Sequence, residues 1–379
     1  MEKNFVIAIN LLFIRPGEVG GSEVFVVNLI NNLLKIDKEN RYLLIVSRNN
    51  KNVFNFDSKN IEYLIFNFDN SLRLKRLFFE QIILPQKLKK KKIDLLVASG
   101  NTGLVRCPCK QILIVHDLIY FVYPEYYSLI KKIYLQNLVR YSCQKADRIA
   151  TVSQNTKKDI IKYTKVEDDK IDIVYEGVDF ERFSKFKKEE AKKFTQKQYG
   201  VQEYIYSPTS LYLHKNNDLL IEAFFRLKKE KKIPQKLLIT GNDPYKRTNW
   251  LKSIIGKYGM KNEIFYLGRV PDEYLPLLYS GADITMYLSK YEGFGLPVLE
   301  AMAAGCPVLS SNRSSLPEVV GNAGVLIDPF NIDEVVNKMS ELLINKSLRE
   351  QCVKNGLIRA RQFSWENVAR RMIKTYNNL

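Results

Sequence analysis

Short runs rich in Ile, Leu and Val recur along this chain, and helically spaced segments separate them. A strand with one wet face alternates apolar with polar residues, whereas a strand covered on both faces reads as continuously apolar. The continuous kind dominates here, which restricts the chain to parallel sheets flanked by helices. The first series places strands at 5–10, 41–47, 61–67, 93–99, 111–117, 147–153 and 170–175, with helices near 24–36, 71–92, 127–145 and 154–164. Ser22 is placed to cap the first helix, and Pro85 to kink or end the 71–92 helix. A second series has strands at 203–209, 236–241, 263–268, 283–289, 307–311 and 325–328. Its helices fall near 217–230, 247–258, 272–280, 297–304 and 333–345. Between the series, residues 181–200 are polar and lysine-rich without a strand pattern, so the boundary belongs there. The expected division is 1–183, 184–360 and a last helix within 361–379, whose Trp365, Val368, Met372 and Tyr376 form one apolar stripe.

A length of 379 residues suits two such domains. No run approaches the roughly 18 apolar residues that a membrane span needs. Residues 5–14 follow Lys3, but Asn10 interrupts them and no small-residue cleavage site comes after, so no signal peptide is expected. The five cysteines are scattered, and Cys107-Pro108-Cys109 lacks a second pair at zinc spacing, which suits free thiols in a reducing cytoplasm. The net charge of +18 is uneven: residues 71–92 carry eight basic side chains against Glu80 alone. Leu72, Phe78, Phe79, Ile82 and Ile83 are interleaved with them, a composition that rests on anionic lipid headgroups as readily as on a protein core. No nucleic-acid recognition motif accompanies the charge.

Four strand-to-helix turns carry the chemistry. In Tyr291-Glu292-Gly293-Phe294-Gly295-Leu296-Pro297-Val298-Leu299-Glu300 the glycines let backbone approach a ligand, and Pro297 suits the first helical turn. The backbone from Gly293 through Phe294, Gly295, Leu296, Pro297 and Val298 forms an anion-binding helix start, and Glu292 and Glu300 flank it. That combination matches a ligand bearing both phosphates and vicinal hydroxyls. Lys215 stands at another helix start, after Thr209 and Ser210 and beside His214, where it would neutralise a diphosphate. His116, with Asp117, ends the strand that begins at 111, where ligands bind in open α/β sheets. Gly20 and Gly21 open the helix after the first strand, again in a phosphate-cradling position.

The stretch from Glu292 to Glu300 resembles the E-x7-E signature of retaining glycosyltransferases of family 4. The resemblance continues through the Gly20-Gly21 loop, His116-Asp117 with Pro124-Glu125, Thr151-Val152-Ser153, Tyr175-Glu176-Gly177-Val178-Asp179 and Lys215. It implies the GT-B fold, two facing doubly wound Rossmann-like domains with a cleft between them. The first domain would bind the acceptor and the second the nucleotide sugar, with the last helix crossing back to the first. By the same resemblance Glu292 contacts donor-sugar hydroxyls, Glu300 holds the ribose, and His116 lies against the sugar. Lys215 and the 293–298 backbone would hold the diphosphate, and Val270 would lie where backbone contacts the base. Two positions depart from the pattern. Glu176 replaces the usual Asn, and Thr209 stands where an Arg is usual, leaving Thr209, Ser210 or His214 to substitute for one phosphate clamp.

The implied reaction is metal-independent hexosyl transfer with retention, since no Asp-x-Asp is present. No cofactor is implied beyond the donor itself. The block from Glu80-Gln81 through Leu84-Pro85, His116-Asp117 and Pro124-Glu125 resembles mannosyltransferases, which favours GDP-mannose as donor. The acceptor would be a glycan or polyprenyl-linked glycan of a surface polysaccharide or lipopolysaccharide. The expected location is cytoplasmic, peripheral on the inner face of the membrane. Two rivals stay open: glucan phosphorolysis on the same architecture, and a catalytically silent nucleotide-sugar-binding subunit of a glycan-assembly complex.

Overall fold

A computed structural model describes residues 5–17 and 20–379, without the side chains of Arg73 and Leu74. The chain separates into two units, Met1–Gly177 with Trp365–Leu379, and Val178–Ser364.

The first unit is built on strands β1 (Val6–Asn10), β2 (Arg41–Ser47), β3 (Ile61–Phe66), β4 (Leu95–Ala98), β5 (Lys110–Val115), β6 (Arg148–Thr151) and β7 (Ile171–Ile173). Their order is β3-β2-β1-β4-β5-β6-β7, and every pair is parallel. Ile9 lies between Leu44 on one side and Val97 on the other. Such a residue is covered above and below, which is why these strands read as continuously apolar. Ala8, Leu43, Ile45 and Leu96 pack with Leu84 and Leu88 of the Leu84–Lys90 helix in one buried cluster.

The second unit carries β8 (Tyr204–Pro208), β9 (Lys236–Thr240), β10 (Ile264–Gly268), β11 (Ile284–Tyr287), β12 (Val308–Ser311) and β13 (Val325–Ile327). Its order is β10-β9-β8-β11-β12-β13, again parallel throughout. Ile205, Leu237, Met286 and Leu309 pack there with Phe224, Leu227 and Met339.

Several elements depart from the sequence expectation for identifiable reasons. The first helix, Gly21–Ile36, starts earlier than a Ser22 cap would allow; Gly20 is its N-cap, with φ 64°. Segment 71–92 is a helix interrupted by a π-turn, Phe79–Ile83, immediately before Pro85. Proline lacks the N–H that a regular turn would donate, so the ladder widens there. The lysine-rich stretch contains a helix, Lys188–Tyr199, that belongs to the second unit. Only Ala191 and Thr195 of it are buried, one turn apart, while Lys188 and Lys192 each reach Asp283 at 3.1 Å. The helix Lys346–Arg361 also escaped the pattern, because Cys352, Gly356 and Ala360 form its buried face. The terminal helix Trp365–Asn377 buries its whole stripe in the first unit, with Trp365 edge-on to Phe25 at 6.1 Å.

Candidate active site

In an open parallel sheet, ligands bind outside the carboxyl ends of the strands, where the strand order reverses. The second unit reverses between β8 and β11. The loops leaving those two strands deliver Lys215 and Glu292. After β8 the chain makes a 3-10 turn, Leu213–Lys215, and Asn216 takes a left-handed conformation (φ 60°) before the Asn217–Lys231 helix. Lys215 Nζ donates to Glu292 Oε1 at 2.6 Å and to Tyr287 Oη at 2.6 Å. The two loops are also joined through backbone, since Lys290 N–H donates to the His214 carbonyl at 2.8 Å.

The pair is largely withdrawn from solvent, its side chains 14% and 13% exposed. Burial is the largest single effect and would drive Glu292 up and Lys215 down, but the partner's charge, the hydrogen bonds and the neighbouring groups together outweigh it. Glu292 is therefore held below the usual carboxylate range and Lys215 above the usual amine value. His214 moves in the opposite sense: burial first, then the Lys215 ammonium, push it down to about 4. At neutral pH His214 is uncharged, so it does not replace the charge of the guanidinium that Thr209 displaces. It stacks on Tyr212, ring centroids 5.4 Å apart.

Glu292 is fixed from the other side by the turn before the Leu316–Val320 helix. Its N–H donates to Ser314 Oγ at 3.0 Å, and the Ser314 and Ser315 hydroxyls both donate to its carbonyl. The single Ser315 proton is shared between that carbonyl and the Phe294 carbonyl at 2.7 Å, and Phe294 and Gly293 have further partners. Gly295, at φ 117°, then caps the Leu296–Ala303 helix, with Pro297 in its first turn. Val298 N–H turns back to the Gly295 carbonyl at 3.0 Å. Glu300 lies one turn in, where buried Tyr279 donates to its Oε2 at 2.7 Å.

Thr209 and Ser210 lie at the end of β8, pressed against the end of β9. A Cβ on Gly241 (φ 143°) would meet Ser210 N at 2.6 Å and the Thr209 carbonyl carbon at 2.7 Å. Thr209 is buried, its N–H donating to the Thr240 carbonyl at 2.7 Å and its hydroxyl aimed at the Ser210 carbonyl at 3.4 Å. Val270 is buried two residues beyond β10. All these positions share the carboxyl edge of one sheet.

The first unit reverses between β1 and β4. Gly20 and Gly21 follow β1 at the helix start; Glu18 and Val19 of that loop lie outside the described residues. A Cβ on Gly20 would meet nothing within 4 Å, so this glycine answers to its backbone conformation and not to crowding. Asn10, at the end of β1, donates to Glu80 Oε1 at 3.2 Å and receives Ser99 Oγ on its carbonyl at 2.6 Å. Burial pushes the Glu80 carboxyl up, against the opposing pull of Arg76 and of the Asn10 hydrogen bond. His116 follows β5, and its ring packs edge-on against Phe25 at 5.2 Å. Its Nε2 lies 3.1 Å from the Ser99 carbonyl, and its Nδ1 lies 3.9 Å from Glu176 Oε1.

Tyr287, Tyr279, Ser314 and Ser315 had no role in the sequence reading, and Glu176 figured there only as a structural departure from the family pattern. Glu176 had a usable signal, the acid in place of Asn; the others are common residues whose placement only the fold reveals. In the basic segment, Leu84 and Leu88 are core residues, while Leu72, Phe78 and Ile82 are each more than half exposed beside Lys75 and the exposed lysines of 87–92. Among the described residues, no helix is long and apolar enough to cross a membrane.

The sequence profile of the Glycosyltransferase Family 4 domain matches residues 19–182, and that of Glycosyl transferases group 1 matches residues 188–359. The chain is 34% identical over 264 residues to O-antigen chain mannosyltransferase B of Escherichia coli, covering 70% of this chain and 69% of that protein. It is 26% identical over 278 residues to the Escherichia coli serotype-specific mannosyltransferase WbdA, covering 72% of this chain but only 34% of that one. Among solved structures, Anabaena Alr3699/HepE in complex with UDP and glucose superimposes with a TM-score of 0.77 at 18% identity, over 99% of this chain and 100% of that one. WaaG, a glycosyltransferase involved in lipopolysaccharide biosynthesis, gives a TM-score of 0.74 at 17% identity, over 97% and 98% of the two chains.

Proposed function

The chain belongs to the group 1, family 4 glycosyltransferases and has two parallel-sheet Rossmann-like domains of the GT-B fold; on that premise we propose that it transfers mannose from GDP-mannose, with retention and without a required metal, to a glycan or lipid-linked glycan of a surface polysaccharide. The observation that carries this reading is the Lys215–Glu292 pair at the β8/β11 reversal. A lysine ammonium has three donors. Two are given to Glu292 and Tyr287, and the third is there for a phosphate oxygen. As the sugar–phosphate bond breaks, charge builds on the leaving diphosphate, and a fixed cation in a half-dry site stabilises it more than solvent would. The Leu296–Ala303 helix start adds its partial positive charge. Glu292 would orient the sugar through its hydroxyls and Glu300 would hold the ribose diol. His116 would take a hydroxyl of the sugar, and the acceptor would attack on the face from which the phosphate departs.

The choice of mannose draws on two relatives, an O-antigen chain mannosyltransferase and a serotype-specific mannosyltransferase. Peripheral attachment at the cytoplasmic face draws on the exposed Leu72, Phe78 and Ile82 among lysines. Thermal-shift screening against GDP-, UDP- and dTDP-sugars tests the donor, because a ligand at 100 times its Kd stabilises the fold by about 2.7 kcal/mol. GDP-mannose should give the largest rise in Tm, and no rise with any sugar nucleotide would remove the donor assignment. Thr209 in place of an Arg favours one second reading, a silent nucleotide-sugar binder. Mannosylated product from GDP-mannose and a polyprenyl-linked acceptor eliminates it; tight binding without turnover establishes it.

A further inference from the structure

The helix Leu129–Lys145 packs on the first unit through its second half only. Val139, Ser142 and Cys143 are its buried residues, and none of residues 129–138 is buried. That first half nevertheless holds Leu129, Ile130, Ile133, Tyr134, Leu135 and Leu138. Ile130 is 84% exposed, Leu129 64% and Ile133 49%. A single exposed apolar side chain needs no explanation, but three within five positions form a patch that something else covers.

Strand order places the patch. Connections between parallel strands of one sheet are right-handed. From β3 to β4, and from β5 to β6, the chain advances in the same direction along the sheet, so segment 71–92 and the Leu129–Lys145 helix cover the same face. The β4–β5 loop joins the two: Gly103 N–H donates to Ser142 Oγ at 3.1 Å, and the Gly103 carbonyl accepts from Gln81 Nε2 at 3.2 Å. Each helical segment ends just before the amino end of the next strand, Lys90 before β4 and Lys145 before β6, so each begins toward the carboxyl edge. Leu129 and Ile130 open one helix, and Leu72 is the N-cap residue of the other. The exposed apolar residues therefore gather toward the edge where open α/β sheets take their ligands.

Charge decides what covers them. Residues 126–145 include Lys131, Lys132, Arg140 and Lys145 and no acidic residue. In 71–92 the one acid, Glu80, is buried beside Arg76 at 3.7 Å. Apolar side chains set among cations alone match an anionic bilayer, where the first enter the acyl boundary and the second stay with the phosphates. Tyr123 and Tyr126, stacked at 5.2 Å in the turn before the helix, are amphipathic rings of the kind that settle at that depth.

We propose that the first half of the Leu129–Lys145 helix inserts into an anionic bilayer together with Phe78 and Ile82, with the carboxyl edge of the first sheet nearest the lipid. This extends the attachment proposed above from one segment to a face and adds an orientation. Its bearing on catalysis rests on the glycosyl-transfer reading, because an acceptor on a lipid carrier is then presented at the edge where it would react.

Sedimentation with vesicles of phosphatidylglycerol and phosphatidylcholine tests the face. Leu129→Ser with Ile130→Ser and Ile133→Ser changes only exposed side chains, so Tm should hold and GDP-mannose should raise it as in the unchanged protein. Vesicle binding of that variant should fall about tenfold or more. Lys131→Glu with Lys132→Glu should also weaken binding, and should make what remains less sensitive to salt. In the unchanged protein, amide hydrogen exchange across 129–138 should slow on these vesicles and not on phosphatidylcholine alone. Equal sedimentation of the triple serine variant, or unchanged exchange at 129–138, overturns the proposal. So does a dimer that the triple variant abolishes while vesicle binding persists, which would assign the patch to a second copy of the chain. Vesicle binding that follows the expected pattern without any thermal shift by GDP-mannose overturns the functional reading and leaves the membrane face standing.

Discussion

His214 should make the second unit lose stability between pH 7 and pH 5, before most carboxylates titrate. Its ordinary value is 6.5 and its folded value is about 4, lowered by burial and by the Lys215 ammonium. Between those values the unfolded chain binds a proton that the folded one refuses. Stability therefore rises with pH across the window and falls as acid is added. The contribution at any pH is RT ln of (1 + 10^(6.5−pH)) over (1 + 10^(4−pH)). It amounts to about 0.2 kcal/mol at pH 7 and about 2 kcal/mol at pH 5, so the unit should weaken by about 2 kcal/mol.

The partners of His214 do not confuse this window. Glu292, held low, contributes stability above the usual carboxylate value and loses it only below. Lys215, held high, contributes below the usual amine value and loses it only in strong alkali. Glu80, pushed up, works in the opposite direction, but it lies in the other unit. The two tryptophans also separate the units, Trp250 in the second and Trp365 in the first. Urea denaturation of a Trp365→Phe background, followed by Trp250 fluorescence at pH 7 and pH 5, reads the second unit directly. His214→Asn in that background should flatten the pH dependence by the stated amount. Parallel curves with and without His214 would refute the reasoning.

Other consequences follow from the same geometry. Lys215→Ala and Glu292→Ala should each lower turnover at least tenfold, and each should destabilise the protein by about 3 kcal/mol, because a half-buried charge is left without its partner; the Lys215→Met, Glu292→Gln double variant should recover part of the stability but none of the activity. Gly241→Ala should cost about 3 kcal/mol by chemical denaturation, since its Cβ would strike backbone atoms on the neighbouring turn. Gly295→Ala should cost less, about 1–2 kcal/mol, because its Cβ would meet only the Leu316 Cδ2 tip at 2.7 Å and the main penalty is φ 117°. Phe78→Ser with Ile82→Ser should reduce cosedimentation with anionic vesicles severalfold while GDP affinity stays constant, and equal binding by the double variant would detach this segment from the membrane.

The sheets were legible because a strand buried on both faces has little choice of composition; Ile7, Ile9, Leu44 and Val97 could hardly be polar where they lie. The turn that carries Glu292 and Glu300 was legible for a similar reason, since glycines and a proline in fixed order limit what a turn can be. The pairing of Glu292 with Lys215 was not. Lys215 and Glu292 are 77 positions apart and meet only because β8 and β11 are neighbours, a fact of strand order that no local pattern carries. The uncharged state of His214 was equally hidden, because it depends on burial and on a cation delivered by the same turn. Two helices escaped because their buried faces consist of Ala191 and Thr195, or of Cys352, Gly356 and Ala360, small residues that leave a weak apolar signal.

The two reversal points also differ in kind, and the difference bears on what each can hold. At β8/β11 the chain places a cation with a spare donor beside an eight-residue helix start. At β1/β4 and the adjoining β5 it places Asn10, Ser99 and His116, with Glu80 and Glu176 close by. A diphosphate offers only acceptors, so the first set suits it and the second, rich in acceptors, would repel it. Lys215 is already held by Glu292. On the proposed function a phosphate would share the ammonium with that carboxylate, taking its third donor. On the proposed function Glu292 would serve twice, fixing the lysine in the absence of ligand and orienting the sugar once phosphate takes over part of the charge.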